Sequence, residues 1–377
     1  MKVTVKDKFL NIRAGSPSLN APCYQFLAPG SIIDVDGKLY KGDVFDGDDF
    51  WLKDEGDNYY WIGGVHHAIP NEAFLAFAPP VTGQVTFSWF NDAGIKSVWD
   101  KTKGRGAAVA VLDSGYSMTN TDLTSKITQD QEHMVLKPAD FPGVQLSMDD
   151  KTADRHGTRC AGIIGAANKR NWIVGIAPEC RLLISKISNN GSLRLSNFQY
   201  ILDGISWAID HGADIISISY FKLLEDDQRD AFQQKLNDII QGKNVLIFAC
   251  CGNGDPNAVT RGEFYPASFT NCVSVGASSP NHQISGFTIL SDKTILHAPG
   301  EGIESYGVDD IPSPETGTSF STPIVAGIAA LAVAFLKEKK GQWNKDDLLQ
   351  KMIDTASPIN GNSSKKIINV VNLFKKL

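Results

Sequence analysis

Five compact, mainly apolar runs constrain the fold of this chain more than any other feature. They read AAVAVLD, LLISKI, ADIISIS, NVLIFAC and CVSVGA, and segments long enough for helices separate them. Strands with one solvated face alternate apolar and polar residues, whereas strands buried on both faces are apolar throughout. The runs therefore predict a parallel sheet with helices on both faces, that is, a doubly wound α/β domain.

The N-terminal part of the chain has a different pattern. Short β-rich runs such as MKVTV, SIIDVD and YYWIGGV are separated by turn signals, and no helical period is present. This predicts a small antiparallel barrel. The phrases LNIRAGSPS, LAPGSIIDV, WLKD and YYWIGGV resemble a bacterial SH3-like domain, which implies a module able to bind a protein or peptide ligand. We expect an SH3-like β-barrel over residues 1–66, a proline-containing linker over 67–87 and the α/β domain over 88–377.

Charge and hydropathy exclude some function classes. The chain has 36 Lys and Arg against 42 Asp and Glu, a net charge of −6, and no long basic run, so no nucleic acid partner is expected. No stretch is expected to span a membrane. The opening residues MKVTVKDKFLNIRAG lack the apolar region of a signal peptide, so export is not expected.

The cysteines predict free thiols rather than a disulfide scaffold. They are few, none has the CxxC spacing of metal ligands, and two are neighbours. Free thiols favour a reducing compartment, so we expect a cytoplasmic protein, although a secreted protein whose signal peptide had been removed would have the same composition. Core packing is favoured over a redox switch for Cys160, Cys250 and Cys251. The six cysteines are Cys23, Cys160, Cys180, Cys250, Cys251 and Cys272.

Three polar residues are candidates for nucleophilic catalysis. Asp113 ends the run AVAVLD, His156 stands in RHGTRCAGIIG, and Ser319 begins the apolar stretch SFSTPIVAGIAALAVAFL. Each has an ordinary structural interpretation, as a capping Asp, a structural His or an N-cap Ser. Together they supply an acid, a base and a nucleophile at the ends of three elements of one sheet.

These phrases, with FACCGNGDP, YPASFTNCVSVGA and LHAPG, resemble the subtilisin-like serine peptidases over about residues 88–335. The resemblance implies that Asp113 orients the imidazole, that His156 transfers the proton and that Ser319 attacks the carbonyl carbon. It also implies that Asn253 donates its amide to the oxyanion, together with the backbone N–H of Ser319. The implied activity is hydrolysis of peptide bonds, without a cofactor.

The same resemblance implies where a polypeptide substrate binds. The run Ser217-Ile218-Ser219-Tyr220 matches the edge on which the peptide is added as a strand, and Gly191-Ser192-Leu193 matches the facing edge. Both segments can also be ordinary sheet edges. The full set of expected substrate-binding residues is Ser217, Ser219, Tyr220, Phe221, Gly191, Ser192, Leu193, Gly252, Glu263 and Phe264.

Two departures from the family pattern concern specificity. Phe221 and Phe264 occupy positions where the family commonly has glycine, so we expect a narrow primary pocket and preference for small side chains. In the rival interpretation, Glu263 points into the pocket and selects Lys or Arg. Broad proteolysis is not expected in either case.

A third departure concerns metal. The segment that forms a calcium loop in the family reads NKRNWIVG here, with Lys169 and Arg170 beside the single matching carboxylate, Asp122. Cations repel Ca²⁺, so no metal site is expected. No inhibitory pro-region is recognisable, and the SH3-like segment stands in its usual place.

Three functions fit these residues. The leading one is a serine endopeptidase of restricted specificity. A peptide-binding scaffold without activity and an acyl transferase or peptide cyclase are the alternatives, because an acyl-enzyme can react with an amine as well as with water.

Overall fold

A computed structural model of the chain describes residues 2–6, 10–15, 17–19, 25–45, 48–66, 90, 94–169, 173–189, 198–255, 259–360 and 362–377. The chain forms two compact units, residues 1–83 and residues 84–377. The expected linker, residues 67–87, lies outside the described residues.

The N-terminal unit contains two antiparallel sheets. One has the strand order β4-β1-β8 and the other β3-β2-β7-β6-β5. Its core includes Val3, Val5, Ile33, Leu52 and Val65. The prediction of a small β unit before the α/β domain is confirmed. The strands are β1 (Lys2–Val5), β2 (Leu10–Ala14), β3 (Gln25–Leu27), β4 (Ile32–Asp34), β5 (Tyr40–Phe45), β6 (Asp48–Lys53), β7 (Asn58–Trp61) and β8 (Val65–His66).

The larger unit is built on a nine-stranded sheet with the order β10-β11-β9-β12-β13-β14-β15-β19-β18. All neighbouring pairs are parallel except β18 and β19. The predicted α/β class with a mainly parallel sheet is confirmed. The strands are β9 (Ala108–Asp113), β10 (Glu132–Met134), β11 (Arg181–Lys186), β12 (Ile215–Ile218), β13 (Leu246–Cys250), β14 (Cys272–Ser278), β15 (Leu296–Pro299), β18 (Ser357–Ile359) and β19 (Asn362–Ile367), with β16 (Ile303–Tyr306) and β17 (Pro312–Glu315) in a separate hairpin.

Successive residues of each central strand pack into different cores. In β9, Val109 and Val111 join one hydrophobic cluster, whereas Ala110 and Leu112 join the other. This is why the run is apolar throughout, since successive side chains of a strand point to opposite faces. Helices α2 (His156–Gly165) and α5 (Thr318–Lys340) belong to the first cluster, and α3 (Gln199–Asp210) and α4 (Asp226–Ile240) belong to the second. The helices are α1 (Thr121–Thr124), α2 (His156–Gly165), α3 (Gln199–Asp210), α4 (Asp226–Ile240), α5 (Thr318–Lys340), α6 (Lys345–Thr355) and α7 (Val370–Lys376).

Helix α5 corrects one expectation. It is long and apolar enough to cross a membrane, with a mean hydropathy of 2.0 over its most apolar window, contrary to the prediction that no stretch would be. Of that window, 94% is buried inside the protein, where it packs against α2 and strands β12 to β15. A core helix passes the same test of length and composition, so the feature is weak evidence for a membrane span.

Candidate active site

Asp113 is the last residue of β9, at the carboxyl edge of the parallel sheet. It follows Val109 and Val111 in the alternation of the strand, so it lies on the face covered by α2 and α5. The side chain is 4% exposed. Its Oδ1 accepts hydrogen bonds from the backbone N–H of Ser114, at 2.8 Å, and from the imidazole of His156.

His156 begins helix α2, and its Nδ1 lies 2.8 Å from Asp113 Oδ1. A carboxylate oxygen can only accept, so Nδ1 carries a proton, and in the neutral imidazole Nε2 is the free basic nitrogen. Gly157 allows this approach, because a Cβ there would lie 2.3 Å from the carbonyl oxygen of Gly115. The helix is therefore held against the turn that follows Asp113.

Asp150 connects the loops that hold this pair. It is fully buried, and its Oδ1 accepts from the hydroxyls of Ser114, at 3.0 Å, and Thr152, at 2.8 Å. Its Oδ2 accepts from the backbone N–H and the hydroxyl of Thr158. The Thr152 hydroxyl in turn accepts from the backbone N–H of His156 at 2.8 Å. One carboxylate thus joins the turn after β9, the loop before α2 and the first turn of α2.

Ser319 is the second residue of helix α5 and is 6% exposed. Its backbone carbonyl accepts from the hydroxyl of Ser219 at 2.6 Å, which ties the start of the helix to the end of β12. Pro323 is accommodated in the second turn of α5. The N-terminal end of a long helix is positive, and its free N–H groups can donate to an oxyanion.

Asn253 follows strand β13, and its Oδ1 accepts from both the backbone N–H and the hydroxyl of Thr318, each at 2.9 Å. These two bonds use the carbonyl side of the amide, which leaves the NH₂ group as a donor. Thr318 precedes Ser319 in the chain. The NH₂ group of Asn253 is therefore held next to the start of helix α5.

A cleft of about 260 Å³ brings together six of the fourteen predicted residues, and Asn253 is not among them. Ser219, Tyr220 and Phe221 line it together with the three candidate catalytic residues, so the end of β12 does form one wall. Ser188, Thr152 and Asp154 were not among the predicted residues and also line it. The lining residues are Asp113, Ser114, Thr152, Asp154, His156, Ser188, Ser219, Tyr220, Phe221 and Ser319.

Phe221 and Phe264 contact each other beside the cleft. Their ring centroids are 5.7 Å apart at 75°, an edge-to-face arrangement. Gly252 has a positive φ of 106°, and a Cβ there would come within 3.0 Å of the Phe221 ring and 2.8 Å of Ile289. The glycine is required for this packing. The two rings therefore fill space that glycines at these positions would leave open.

Other predicted substrate residues lie elsewhere. Ser217 is inside the sheet, where its hydroxyl is buried without a hydrogen-bond partner among the described residues. Glu263 is 48% exposed, and its carboxylate accepts from Lys293 Nζ at 3.0 Å and from the hydroxyl of Tyr265 at 3.1 Å. Gly191, Ser192 and Leu193 lie outside the described residues.

The acidic surroundings of His156 set its protonation. Burial lowers the pKa of the imidazole, but the charge and hydrogen bond of Asp113, together with the charges of Asp154 and Asp150, raise the pKa to about 9 overall. The ring of Phe320 lies 5.5 Å from the imidazole, centroid to centroid, and shields one side of it. A base with this pKa is neutral only in alkaline solution.

Cys160 is buried one turn after His156. Its thiol donates to the hydroxyl of Ser219 at 3.5 Å and to the carbonyl of Ser319 at 3.6 Å. A ligand atom of Cys160 lies within 4.8 Å of those of Asp113 and His156, the spacing of a metal site. Burial raises the pKa of this thiol well above its ordinary value, however, and metals bind the thiolate. The imidazole and carboxylate are also bonded to each other, so the group fits a metal poorly.

Asp122, the carboxylate that matches the calcium position of the resemblance, is buried and bonded to protein groups. Its Oδ1 accepts from the backbone N–H of Lys169, and its Oδ2 accepts from the hydroxyl of Tyr306. Arg170 lies outside the described residues. Each oxygen of this carboxylate thus already accepts a hydrogen bond from the protein.

Sequence reasoning missed Asp150, Thr152, Asp154 and Ser188. Asp150 stands six residues before His156 in a loop without periodicity, and its contacts depend on how that loop folds back over β9. The adjacent pair Asp149-Asp150 was the one available signal, because a buried carboxylate needs several donors and the segment supplies Thr152 and Thr158.

Comparisons with known proteins show the family to which the chain is related. Residues 104–370 match the family model described as the subtilase family. The chain is 32% identical to an intracellular serine protease of Paenibacillus polymyxa, over 71% of this chain and 79% of that protein. It is 30% identical to the major intracellular serine protease of Bacillus subtilis strain 168, over 70% and 80%. The solved structure of the prenylagaramide maturation protease PagA has a TM-score of 0.62 and 26% identity, covering 75% of this chain and 97% of that one.

Proposed function

The chain belongs to the subtilase family and is a serine endopeptidase, and from this premise we propose that Asp113, His156 and Ser319 are its catalytic triad. The observation that carries the assignment is the 2.8 Å hydrogen bond from His156 Nδ1 to Asp113, in the cleft that Ser319 also lines.

In the proposed reaction, His156 Nε2 removes the proton of the Ser319 hydroxyl as Oγ attacks the peptide carbonyl carbon. The tetrahedral oxyanion accepts hydrogen bonds from the Asn253 amide and the Ser319 backbone N–H. His156 then gives the proton to the leaving amine, and water hydrolyses the acyl-enzyme by the same route. Removing one such oxyanion donor costs about 10²–10³ in kcat.

We further propose that the enzyme has a constricted primary pocket. The contact between Phe221 and Phe264 supports a pocket for small side chains. The ion pair between Glu263 and Lys293 argues against the rival in which Glu263 points inward to select Lys or Arg. The chain is structurally similar to a protein described as a maturation protease, and restricted cleavage of one or a few proteins is the role we propose here.

For the N-terminal unit we propose an SH3-like barrel over residues 1–66 that binds a protein or peptide ligand or supports the peptidase domain, residues 88–377. Two antiparallel sheets around one core support this. Deleting residues 1–66 separates the two roles. Normal cleavage of small peptides with loss of a natural protein substrate supports docking, whereas a changed folding yield or basal activity supports a structural role. We propose a cytoplasmic location, which the similarity to intracellular proteases and the free described cysteines support.

Fluorophosphonate labelling followed by mass spectrometry tests the triad. The reagent should modify Ser319 in the natural chain, and Ser319→Ala should abolish labelling. Ser321→Ala is the matched control, because Ser321 lies in the same helix and its hydroxyl is bonded to the carbonyl of Pro299. An unlabelled natural chain would contradict the assignment and favour a peptide-binding scaffold. Ligated or cyclic products from a substrate peptide would instead indicate acyl transfer.

A further inference from the structure

Arg159 is a buried arginine on the helix that carries the proposed base. It lies three residues after His156 in α2 and is 2% exposed. Arginine is rarely this buried, because its charge and its N–H groups need partners that replace water. Its Nε donates to the backbone carbonyl of Asp154 at 2.6 Å. Since Asp154 stands two residues before His156, this bond holds the loop through which the chain enters α2.

The other end of the guanidinium binds strand β17. Its Nη1 donates to the backbone carbonyl of Ser313 and its Nη2 to the hydroxyl of the same residue, each at 2.6 Å. Nη2 also lies 3.8 Å from the carboxylate of Glu315, which partly neutralises the buried charge. Gly307 allows this close approach, because a Cβ there would lie 2.6 Å from Arg159 Nη2. The planar fork of an arginine fits such paired acceptors, and the single ammonium of a lysine does not.

Strand β17 leads directly into the helix of the proposed nucleophile. The strand ends four residues before Ser319. At the junction, the backbone N–H of Gly317 donates to the carbonyl of Gly300 at 2.8 Å. The hydroxyl of Thr316 accepts from the backbone N–H of Gly302 at 3.0 Å. Because these bonds order the junction, a shift of β17 would be passed on to the start of α5.

Arg159 therefore joins two parts of the site that are distant in the chain. On one side is the loop before His156, and on the other is the strand that leads to Ser319. Proton transfer from Ser319 to His156 needs both side chains within hydrogen-bond reach, and a misplacement of about 1 Å can lower a rate about 100-fold. The bond from His156 to Asp113 goes to β9 instead and does not involve Arg159.

We propose that Arg159 is a positioning residue of the peptidase, which holds the base and the nucleophile at the separation that proton transfer requires. This role rests on the catalytic assignment proposed above. Loss of the guanidinium should lower the rate of attack by Ser319, because the loop before His156 and the strand before Ser319 are then no longer joined. It should leave the pairing of His156 with Asp113 in place.

The test compares Arg159→Ala with the natural chain in two assays: turnover of a fluorogenic peptide that has alanine at the residue whose carbonyl is attacked, and the rate of fluorophosphonate labelling. Both rates are expressed per folded molecule, with folding measured by circular dichroism. We expect kcat and the labelling rate to fall about 10- to 100-fold and KM to change little. The pKa seen in the kcat/KM profile should stay as in the natural chain. Methylguanidinium, which fits the space left by the side chain, should restore much of the labelling rate, and methylammonium should not.

Arg105→Ala is the matched control. Arg105 is 84% exposed in an ion pair with Glu179, so its removal should leave both rates unchanged. Ser313→Ala removes only the hydroxyl that accepts from Arg159 Nη2 and should lower kcat to a smaller extent. This milder variant decides the question if Arg159→Ala does not fold.

An unchanged kcat in folded Arg159→Ala, or in Ser313→Ala where the first variant does not fold, would overturn the inference. Failure of methylguanidinium to restore labelling, or equal restoration by methylammonium, would also count against it. So would a lower kinetic pKa, because the whole start of α2 would then have separated from Asp113. If the natural chain is not labelled at Ser319, the catalytic assignment is wrong. If it is labelled and the variants keep the natural rates, only the role of Arg159 is wrong.

Discussion

Replacing Phe221 by glycine should open the primary pocket. The Phe221 ring packs edge to face against Phe264, and its Cδ2 is 3.0 Å from where a Cβ on Gly252 would be. The ring thus lies against the backbone that precedes Asn253, the proposed oxyanion donor. Deleting the benzyl group removes one of the two rings that fill this wall, and substrates with larger side chains should then be accepted.

The size of the effect follows from the apolar surface that the opened pocket can bury. Leucine has three more carbon atoms than alanine, and each buried methylene contributes about 0.8 kcal/mol. If most of this is realised, the leucine-to-alanine ratio of kcat/KM should rise by about 2 kcal/mol, roughly 30-fold. Removing Phe264 as well should raise the ratio further, since the two rings block the same space.

The assay compares peptides that differ only at the residue whose carbonyl is attacked, with active enzyme counted by fluorophosphonate titration. Phe232→Ala is the control, because it removes a ring from the pair with Phe198, at 4.6 Å, which belongs to the core on the other face of the sheet. An unchanged ratio in both Phe221→Gly and the double variant would refute the steric reasoning. A preference for Lys or Arg at this residue that disappears in Glu263→Gln would favour the charge instead.

Three further predictions concern protonation, metal and oxidation. Because the pKa of His156 is about 9 in the folded protein, kcat/KM should increase with pH through about 9, and Asp113→Asn should lower the pKa seen in that profile. The raised pKa should also stabilise the fold fully below pH 6.5, and this stabilisation should be lost as the pH rises through 9. A kcat/KM profile that is already flat from pH 7 would contradict this. A chelator should leave the Tm unchanged, since Asp122 is bonded to the Lys169 backbone; a drop that calcium restores would show a bound ion. Mild peroxide should not inhibit, because burial disfavours the Cys160 thiolate, and reversible inhibition that tracks oxidation of Cys160 would argue for a switch.

The sheet could be predicted from the sequence because each mainly apolar run indicates a strand that is buried on both faces. AVAVLD is apolar up to its final aspartate, and β9 is buried at every position and ends at Asp113 as expected. Ser217 shows the limit of the same rule. Ser217 and Ser219 share a face of the strand, but only Ser219 lies beyond the end of β12, where it reaches the carbonyl of Ser319.

The support of the site could not be predicted, because it depends on loops. No local pattern places the Asp150 carboxylate against Ser114 and Thr158, which lie 36 and 8 residues away in the chain. Lys186 is a similar case. A lysine is usually exposed, but this one is 1% exposed and its Nζ donates to the backbone carbonyl of Asp149 at 2.6 Å. Such contacts are properties of the assembled fold rather than of the segments.

The position of Ser319 on helix α5 links the reaction to the cooperativity of the whole α/β unit. Ser319 lies in the first turn of the helix, but that turn is bonded to Ser219 and Asn253 and the helix packs against α2 and five strands, so local fraying should not displace the proposed nucleophile. The proposed base, His156, is less protected, since its helix is shorter and its first residue is bonded to the preceding loop through Thr152 and Asp150. On warming, an inactive but still folded population should therefore arise by displacement of the His156 imidazole, whereas Ser319 should stay in place until the domain unfolds.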